Sequence, residues 1–289
     1  GVVINKYIVI MEQYNEILDP NQEILSGMIH PIGTICHELG HVLGLPDLYD
    51  TSDNSAAGIG IWGLMGSGNW NSQKIPAYMS AWSRYRLGYI EPLVIDNVNE
   101  TMIDILPAEM HEDGVAYLLP MDSKMPQEYI LLENRQKVGS DIFLSGSGLL
   151  AWHVDEIVTD MYPALNSVNV NPDFYGVNLL QADGLGELYT SSGSADSSDP
   201  FNNGDGPLNG TSNPNTDLYD YDRDADGYKD NGKNSNIELS DIFDHGDHVF
   251  MKVTNPNEMG SVISYDEGHY TGHAISDQYD FRFPPYFGR

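Results

Sequence analysis

The pattern of apolar and polar positions predicts one strand and two helices in the first third of the chain. Val2–Met11 (VVINKYIVIM) is β-branched and aromatic, which is typical of a strand. Asn15–His30 has no sustained periodicity and is expected to be a loop. Pro31 suits the first position of a helix that runs to about Leu43, because an N–H at that position would have no helical partner. Apolar residues at helical spacing predict a second helix over Ile75–Leu87.

The pattern changes at about Glu91, where short apolar runs replace helical spacing. Clusters of Gly, Pro, Asn and Asp separate the runs, which is typical of an antiparallel sheet with turns between its strands. The predicted strands are Met102–Leu106, Val115–Leu119, Tyr129–Glu133, Leu149–Val154, Val177–Gln181 and His248–Val253. The predicted fold class is therefore α+β, with an antiparallel β-sandwich-like domain after the helical part.

The stretch His37–Asp47 (HELGHVLGLPD) carries the clearest chemical signal. His37 and His41 are four residues apart, so on a helix both imidazoles lie on one face and can reach one metal ion. Glu38 follows the first histidine and is then placed to act as catalytic base on a water molecule. A bare H-E-x-x-H also occurs by chance, so the alternative is an ordinary amphipathic helix with surface or core histidines.

Three further positions favour the metal site. Gly44 can adopt positive φ and end the helix, and Pro46 prevents its continuation. Asp47 then stands where the longer zinc-protease signature H-E-x-x-H-x-x-G-x-x-H has its third histidine. Zinc accepts imidazole and carboxylate ligands, and catalytic zinc sites keep one position for water. The predicted zinc ligands are His37, His41 and Asp47.

A glycine- and serine-rich segment at 47–71 follows the histidine motif. It contains Trp62–Gly68 (WGLMGSG), which puts Met65 in a glycine-rich turn where metzincin proteases have their Met-turn. We expect Met65 to form an apolar floor under the metal rather than to bind it. Tyr49 and Tyr78 are candidate donors to a reaction oxyanion, with ordinary packing as the alternative for each.

These motifs resemble the immune inhibitor A family of secreted bacterial metallopeptidases. The segments that carry the resemblance are His37–Asp50 (HELGHVLGLPDLYD), Trp62–Gly68, Ser80–Gly88 (SAWSRYRLG), Glu128–Gln136 (EYILLENRQ) and Gly146–Asp155 (GSGLLAWHVD). The resemblance implies a zinc endopeptidase with a metzincin-like active site, with His37, His41 and Asp47 as ligands and Glu38 as catalytic base. It also implies that a strand containing Tyr7 and Val9 pairs with substrate through main-chain hydrogen bonds. A buried strand without substrate contact is the alternative for those two residues.

Acidic residues dominate the composition. The chain has 43 Asp and Glu against 13 Lys and Arg, a formal net charge of −30 at pH 7, which would repel nucleic acid and anionic membranes. Cys36 is the single cysteine, so no intrachain disulfide can form. No apolar run approaches the length of a membrane span. We expect an extracellular protein whose stability comes from its core and from bound metal.

The segment 183–232 is a long acidic insertion of low hydrophobicity. Within it, aspartates at alternate positions precede a glycine, as in the first half of an EF-hand-type calcium loop. The predicted Ca²⁺ ligands are Asp222, Asp224, Asp226, Tyr228 through its carbonyl, and Asp230. Lys233 occupies the position of the EF-hand glutamate, so Asp230 must substitute for it. Further candidates, with solvated loop residues as the alternative, are Asp183, Asp199, Asp205, Asp217 and Asp220.

The predicted domains are the C-terminal part of a catalytic domain at 1–92, a β-rich domain at 93–253 that contains the insertion, and a tail of unassigned role at 254–289. One convincing strand precedes His37, whereas a metzincin-like domain has several strands there. We therefore expect that the domain is incomplete at its N-terminus and that Gly1 is not its natural start. An upstream segment or propeptide of the same precursor, or a separate bound polypeptide, would supply the missing strands.

The sequence thus predicts a secreted zinc-dependent endopeptidase that hydrolyses peptide bonds of protein or peptide substrates. Two alternatives are a calcium-dependent surface-binding protein on a protease-like fold and a zinc amidase that acts on a non-protein substrate. Glu133, Trp152, His153 and Asp155 belong to no complete catalytic constellation, and we expect them to have structural or interdomain roles.

Overall fold

The structure is a computed structural model that describes residues 13–18, 24–29, 32–53, 55–72, 74–110, 116–123, 127–190, 194–219, 233–259, 263–264 and 273–274. Its strands are β1 (Gln13–Leu18), β2 (Ile24–Ile29), β3 (Leu93–Val94), β4 (Val98–Ile105), β5 (Ala116–Pro120), β6 (Glu128–Arg135), β7 (Gly148–Asp155), β8 (Val177–Leu179), β9 (Glu238–Asp244), β10 (Val249–Asn255), β11 (Ile263–Ser264) and β12 (His273–Ala274). Its α-helices are α1 (Ile32–Leu43), α2 (Ala81–Arg86) and α3 (Glu156–Met161). Short 3₁₀ helices lie at Gly60–Trp62, Ser67–Trp70, Gly139–Phe143, Pro163–Leu165 and Glu187–Tyr189. The fold of the described residues is α+β.

Two sheets form the β-rich part of the molecule. A five-stranded sheet has the order β3-β5-β6-β7-β8, and a three-stranded antiparallel sheet has the order β4-β10-β9. The larger sheet is mixed, because β3 pairs with β5 in parallel while its other pairs are antiparallel. The prediction of a purely antiparallel arrangement is therefore wrong at this edge.

The five-stranded sheet lies between two hydrophobic clusters. Every residue of β6 and β7 is buried, and their side chains alternate between the two faces. Leu131 and Trp152 join a cluster with Leu48 and Met65 from the histidine-motif side, whereas Ile130 joins a cluster with residues of the three-stranded sheet. One core thus spans the predicted boundary at residue 92, and the domain division itself stays a prediction.

The N-terminal part differs from its predicted loop. β1 and β2 pair as an antiparallel hairpin that occupies most of the segment 15–30, which the pattern assigns to a loop, so that prediction is wrong. The pairing has register shifts near Ile17, which interrupt the period-two alternation that identifies a strand in a sequence. The predicted strand Val2–Met11 lies outside the described residues.

Helix α2 is shorter than its predicted span of Ile75–Leu87. It begins at Ala81, after Ser80 accepts a hydrogen bond from the Ser83 N–H as an N-cap. The preceding backbone has other partners, because the Tyr78 N–H donates to Asp141 Oδ1 at 2.9 Å and the Tyr78 carbonyl accepts from Arg135 at 3.4 Å. These tertiary hydrogen bonds keep residues 77–80 from becoming part of the helix, although the apolar residues there have helical spacing.

The predicted strand runs after residue 101 are confirmed as β4, β5, β6, β7, β8 and β10, with ends that differ by a few residues. Strand β9 is missing from the predicted set. Its buried residues Leu239 and Ile242 are three apart, because Asp241 adopts φ 49° where the pairing with β10 slips. A bulge of this kind hides a strand from a period-two pattern. In the described part of the chain, no helix has the length and apolar character that crossing a membrane requires.

Candidate metal centre

Helix α1 presents both histidines of the motif to one point. The His37 and His41 ring centroids are 4.8 Å apart with their planes at 88°. His37 is 5 % exposed, and His41 is half-buried. Gly40 lets the helix lie close to the Met65 side chain, because a Cβ at that position would be 2.5 Å from Met65 Sδ. The motif is thus fixed against the loop that follows it.

The helix ends as the glycine predicts. Gly44 has φ +107°, in the left-handed region that glycine enters without steric cost. Its N–H donates to the His41 carbonyl at 3.0 Å, and the Leu45 N–H donates to the Gly40 carbonyl at 3.0 Å. The chain then turns back and places Asp47, which is 6 % exposed, beside the two histidines.

Three potential ligand atoms converge at the histidines. Nδ1 of His37 lies 2.8 Å from the Leu64 carbonyl oxygen, and Nδ1 of His41 lies 2.8 Å from that of Leu45. A carbonyl oxygen can only accept, so each Nδ1 carries the proton and each Nε2 of the neutral rings has a free lone pair. These Nε2 atoms lie 2.9 and 3.4 Å from Oδ1 of Asp47.

Three lone pairs at these distances repel one another unless positive charge lies between them. Asp47 Oδ1 is a buried atom without a hydrogen-bond donor among the described residues when the Nε2 atoms are unprotonated. Protons are one source of the charge, and hydrogen bonding to Asp47 raises the pKa of His41 against the opposing effect of burial. A metal ion is the other source.

The donor set fits zinc. Zinc–ligand distances of about 2.0–2.2 Å put the ligands of a tetrahedral site about 3.3–3.6 Å apart. The 3.4 Å between His41 Nε2 and Asp47 Oδ1 falls in this range. The 2.9 Å from His37 Nε2 is shorter, as in a contact through a shared proton. Two imidazoles and one carboxylate are ligands that zinc prefers.

The second oxygen of Asp47 has partners of its own. Asn166 Nδ2 donates to Asp47 Oδ2 at 2.6 Å, and the Asp47 N–H donates to Asn166 Oδ1 at 2.7 Å. Burial raises the pKa of Asp47, but hydrogen bonds from His37, His41 and Asn166 outweigh it and hold that pKa well below its usual range. Tyr49 also bonds to Asp47, and burial together with the Asp47 charge raises the pKa of Tyr49 to about 12. The phenol of Tyr49 therefore remains protonated at neutral pH.

The Met65 turn supports the centre through its backbone as well as its side chain. The Leu64 carbonyl orients His37, and the Met65 carbonyl accepts from the Leu48 N–H at 2.9 Å, just after Asp47. The Met65 side chain is fully buried in the core. This position agrees with the expected apolar floor, and the functional role of Met65 stays a prediction.

Glu38 is half-buried on α1 beside the ligand cluster. Its negative charge is among the causes that raise the pKa of both His41 and Tyr49, which places its carboxylate close to the other site groups. No described contact fixes its role, so its function as a base stays a prediction.

A buried arginine–carboxylate network joins α2 to the five-stranded sheet. We give this name to Arg84, Glu133, Arg135 and Asp141, each 2 % exposed or less. Glu133 accepts from Arg84 at 2.9 Å and from the Ala81 N–H at 3.1 Å. Arg135 donates to Asp141 through Nε at 2.5 Å and a terminal nitrogen at 2.6 Å. The structural role predicted for Glu133 is confirmed by these contacts.

The other polar residues singled out in the β-rich segment also have structural partners. Trp152 Nε1 donates to Glu133 at 2.9 Å. His153 Nε2 lies 2.9 Å from Glu128 Oε1, and its ring stacks on Tyr219 at 4.2 Å. Asp155 caps α3 by accepting from the N–H groups at its start.

A second group of carboxylates lies in the acidic insertion. Oxygens of Asp183, Glu187 and Asp196 come within 4.8 Å of one another, and groups of acidic residues often gather in this way without an ion. Nearby, burial raises the pKa of Asp199 to about 6 although Trp62 Nε1 donates to it at 2.8 Å. The predicted calcium ligands Asp222, Asp224, Asp226, Tyr228 and Asp230 lie outside the described residues, as do Tyr7 and Val9 of the predicted substrate strand.

Asn166 is the residue near the centre that sequence reasoning missed. It is 119 positions from Asp47 and belongs to no motif. The signal that does exist is local: asparagine shortly after a proline is typical of a turn, and Asn166 has φ 52°. That signal predicts a conformation but not a partner.

One comparison with known proteins bears on the site. Residues 22–92 match the family model described as the immune inhibitor A peptidase M6 catalytic domain. This match covers α1 and all three ligand candidates, and it confirms the resemblance for the motifs that it includes. The resemblance of Glu128–Gln136 and Gly146–Asp155 lies outside the matched residues and stays a prediction. A search of curated proteins gave no match.

Proposed function

We propose that this chain, whose residues 22–92 match the model of the immune inhibitor A peptidase catalytic domain, is a secreted zinc-dependent endopeptidase of that family. The family match by itself supports a metallopeptidase. The observation that carries the finer proposal is the convergence of three potential ligand atoms, Nε2 of His37, Nε2 of His41 and Oδ1 of Asp47, around one point.

The residues of the proposed active site have separate roles in peptide hydrolysis. Bound zinc supplies Lewis-acid polarisation of the scissile carbonyl and of water. His37 and His41 would hold the ion through Nε2 because carbonyl groups occupy their Nδ1 protons. Asp47 contributes the negative charge, and Glu38 accepts the proton of the attacking water and passes it to the leaving amine.

The proposed substrate is a protein or peptide chain in extended form. Tyr7 and Val9 would align it by main-chain hydrogen bonds, as the family resemblance implies. Peptide substrates with single N-methylated amides test this, because each lost main-chain donor should lower kcat/KM at one subsite. Uniform tolerance of N-methylation would contradict strand pairing.

The primary test combines metal content with catalysis. Protein purified without added metal should contain about one zinc per chain by elemental analysis and should cleave a mixed peptide library read by mass spectrometry. Glu38→Gln should lower kcat about 10²–10⁴-fold while zinc content is unchanged, because Glu38 is a base and not a ligand. Glu100→Gln, on the exposed face of β4, is the matched control and should retain full activity. Near-normal turnover by Glu38→Gln would show that the base is another group, and a library that stays uncut would point to a non-protein substrate.

Calcium binding by the acidic insertion is a separate part of the proposal. Loss of Ca²⁺ from Asp222, Asp224, Asp226 and Asp230 would leave several carboxylates crowded together, so the loop should open to proteases. Melting temperature and limited proteolysis should therefore respond to calcium chelation in the parent. The double variant Asp224→Asn/Asp226→Asn should lose that response while Asp173→Asn, an exposed aspartate elsewhere, keeps it. An unchanged response in the double variant would exclude this loop.

A further inference from the structure

Asn166 makes two hydrogen bonds to one residue of the candidate metal centre. It follows the 3₁₀ helix Pro163–Leu165 and is fixed there by its own N–H, which donates to the Pro163 carbonyl at 3.1 Å. Its side chain binds the Asp47 backbone at 2.7 Å and the Asp47 carboxylate at 2.6 Å. A residue from the β-rich segment thus contacts a candidate ligand on the far side of the predicted boundary.

The two bonds determine which way the Asn166 amide points. The Asp47 N–H is a donor, so it requires the amide oxygen, and the amide nitrogen must then face the carboxylate. Asn166 consequently donates to Oδ2, and Oδ1 is left toward the imidazoles of His37 and His41. The amide assignment follows from the bonding pattern rather than from the shape of the side chain.

We propose that Asn166 is a positioning residue that commits Oδ1 of Asp47 to the metal. This inference rests on the proposed function. Hydrogen bonds to ligating groups fix the orientation of those ligands, and their loss typically costs about 10–100-fold in metal affinity. In this chain the bond also keeps Oδ2 from turning toward the histidines, so the carboxylate presents a single oxygen.

The backbone of Asn166 has a separate structural contact. The Thr51 hydroxyl donates to the Asn166 carbonyl at 2.6 Å, and the nearby Asn169 side chain donates to the Leu48 carbonyl at 3.2 Å. These contacts hold the chain that follows Asp47 against the loop that contains Asn166, and they do not involve the Asn166 side chain. Glycine tolerates the φ of 52° at this position, so Asn166→Gly removes the side chain and keeps the backbone bond.

Asn166→Asp is the more severe probe. It has nearly the same shape but replaces the amide donor by a second carboxylate oxygen, which would repel Asp47 Oδ2. We therefore expect the zinc Kd to rise about 10–100-fold in Asn166→Gly and by at least as much in Asn166→Asp. Asn97→Gly is the matched control, because Asn97 has φ 49° in the same left-handed region and binds the exposed Glu258 instead.

The experiment measures zinc Kd by competition with a chelator of known affinity, using the full chain in each case. The proposal predicts weaker binding in both Asn166 variants, an unchanged Kd in Asn97→Gly, and recovery of peptidase kcat in Asn166→Gly when free zinc is raised. A Kd in both variants within about threefold of the parent, below the usual effect of such a bond, overturns it. A lower melting temperature of the zinc-free variants with an unchanged Kd also overturns it, because that is the result of a purely structural role. If Asn166→Asp does not fold, the zinc Kd of Asn166→Gly alone decides between these outcomes. Absence of zinc binding by the parent would instead refute the proposed function.

Discussion

The candidate metal centre and the arginine–carboxylate network differ in how the charge of a buried carboxylate is balanced. In the network, each carboxylate oxygen of Glu133 and Asp141 accepts from at least one donor, and two arginines balance the two charges. At the centre, Asp47 Oδ1 faces two imidazole Nε2 atoms, and neutral imidazoles whose Nδ1 protons already bind carbonyl oxygens have no proton to donate to it. Buried acceptors that all have donors indicate a structural role, whereas several buried acceptors that converge without donors are typical of a cation site.

Glu156, another buried acid, avoids its charge in a different way. Glu156 is 7 % exposed, and burial, together with the charge of Asp160, raises its pKa to about 7. The hydrogen bond from the Tyr129 hydroxyl at 3.0 Å and the charge of Arg86 lower this pKa but do not outweigh burial. Such a group avoids its charge by keeping a proton. Arginine, proton and the proposed metal are thus three ways of burying a carboxylate in one chain, and only the third would leave a site for chemistry.

The largest expected effect comes from breaking the network. Arg135→Met would leave Asp141 buried without its cation and would leave Glu133 with Arg84 alone. Removing one partner of a buried ion pair typically costs about 3–5 kcal/mol of unfolding free energy. Chemical denaturation measures this, with Lys252→Met as the control because that residue forms an exposed pair with Asp241. The control should be indistinguishable from the parent. If both variants were equally stable, the network would have no more structural weight than a surface ion pair.

Replacing Glu156 tests the protonated acid. Below about pH 4.5 both folded and unfolded states hold the proton, so Glu156→Gln should match the parent. As pH rises above about 4.5 the unfolded state ionises first, and near pH 7 the folded parent also ionises and carries a buried charge. The stability of the parent therefore falls between these two pH values and stays low above them. At pH 8 the variant should therefore be more stable by up to about 3 kcal/mol.

Denaturation at pH 4.5 and pH 8 measures this difference, and glutamine keeps an acceptor for the Tyr129 hydroxyl. A stability difference that does not change with pH would show that Glu156 is already ionised in the folded state at low pH.

Zinc addition should stabilise the centre without involving the network. A ligand at 100 times its Kd adds about 2.7 kcal/mol to a protein that binds it only when folded. The parent and Arg135→Met should both gain this increment, whereas His41→Ala should lose most of it because a ligand is gone. Thermal unfolding with zinc and with chelator measures the gain. Loss of the increment in Arg135→Met would show that the two regions are coupled and would remove the contrast between them.

The sequence predicted the centre better than its surroundings, for a physical reason. The site requires two histidines at helical spacing, a glycine for the left-handed turn and an aspartate after it, and all of these are local in the sequence. His37, His41 and Asp47 could therefore be predicted from one short segment. Asn166 supports Asp47 across 119 positions through tertiary structure, which no spacing records. The β1–β2 hairpin and β9 were hidden in the same way, because slipped registers remove the alternation that marks a strand.

The smallest expected effect concerns Met65, which lies between the two regions. Its sulfur faces Gly40 on α1, and its side chain packs in the same cluster as Trp152 of the sheet. The contacts that orient the centre come from the Leu64 and Met65 carbonyls, which Met65→Leu keeps. A volume-conserving swap of this kind usually costs less than about 1.5 kcal/mol. Chelator competition should give an unchanged zinc Kd, in contrast to the about 10–100-fold change for a side chain that hydrogen-bonds a ligand. Weakening of zinc binding on that larger scale would mean that the thioether acts on the metal centre itself, and that an apolar floor is an incomplete description of Met65.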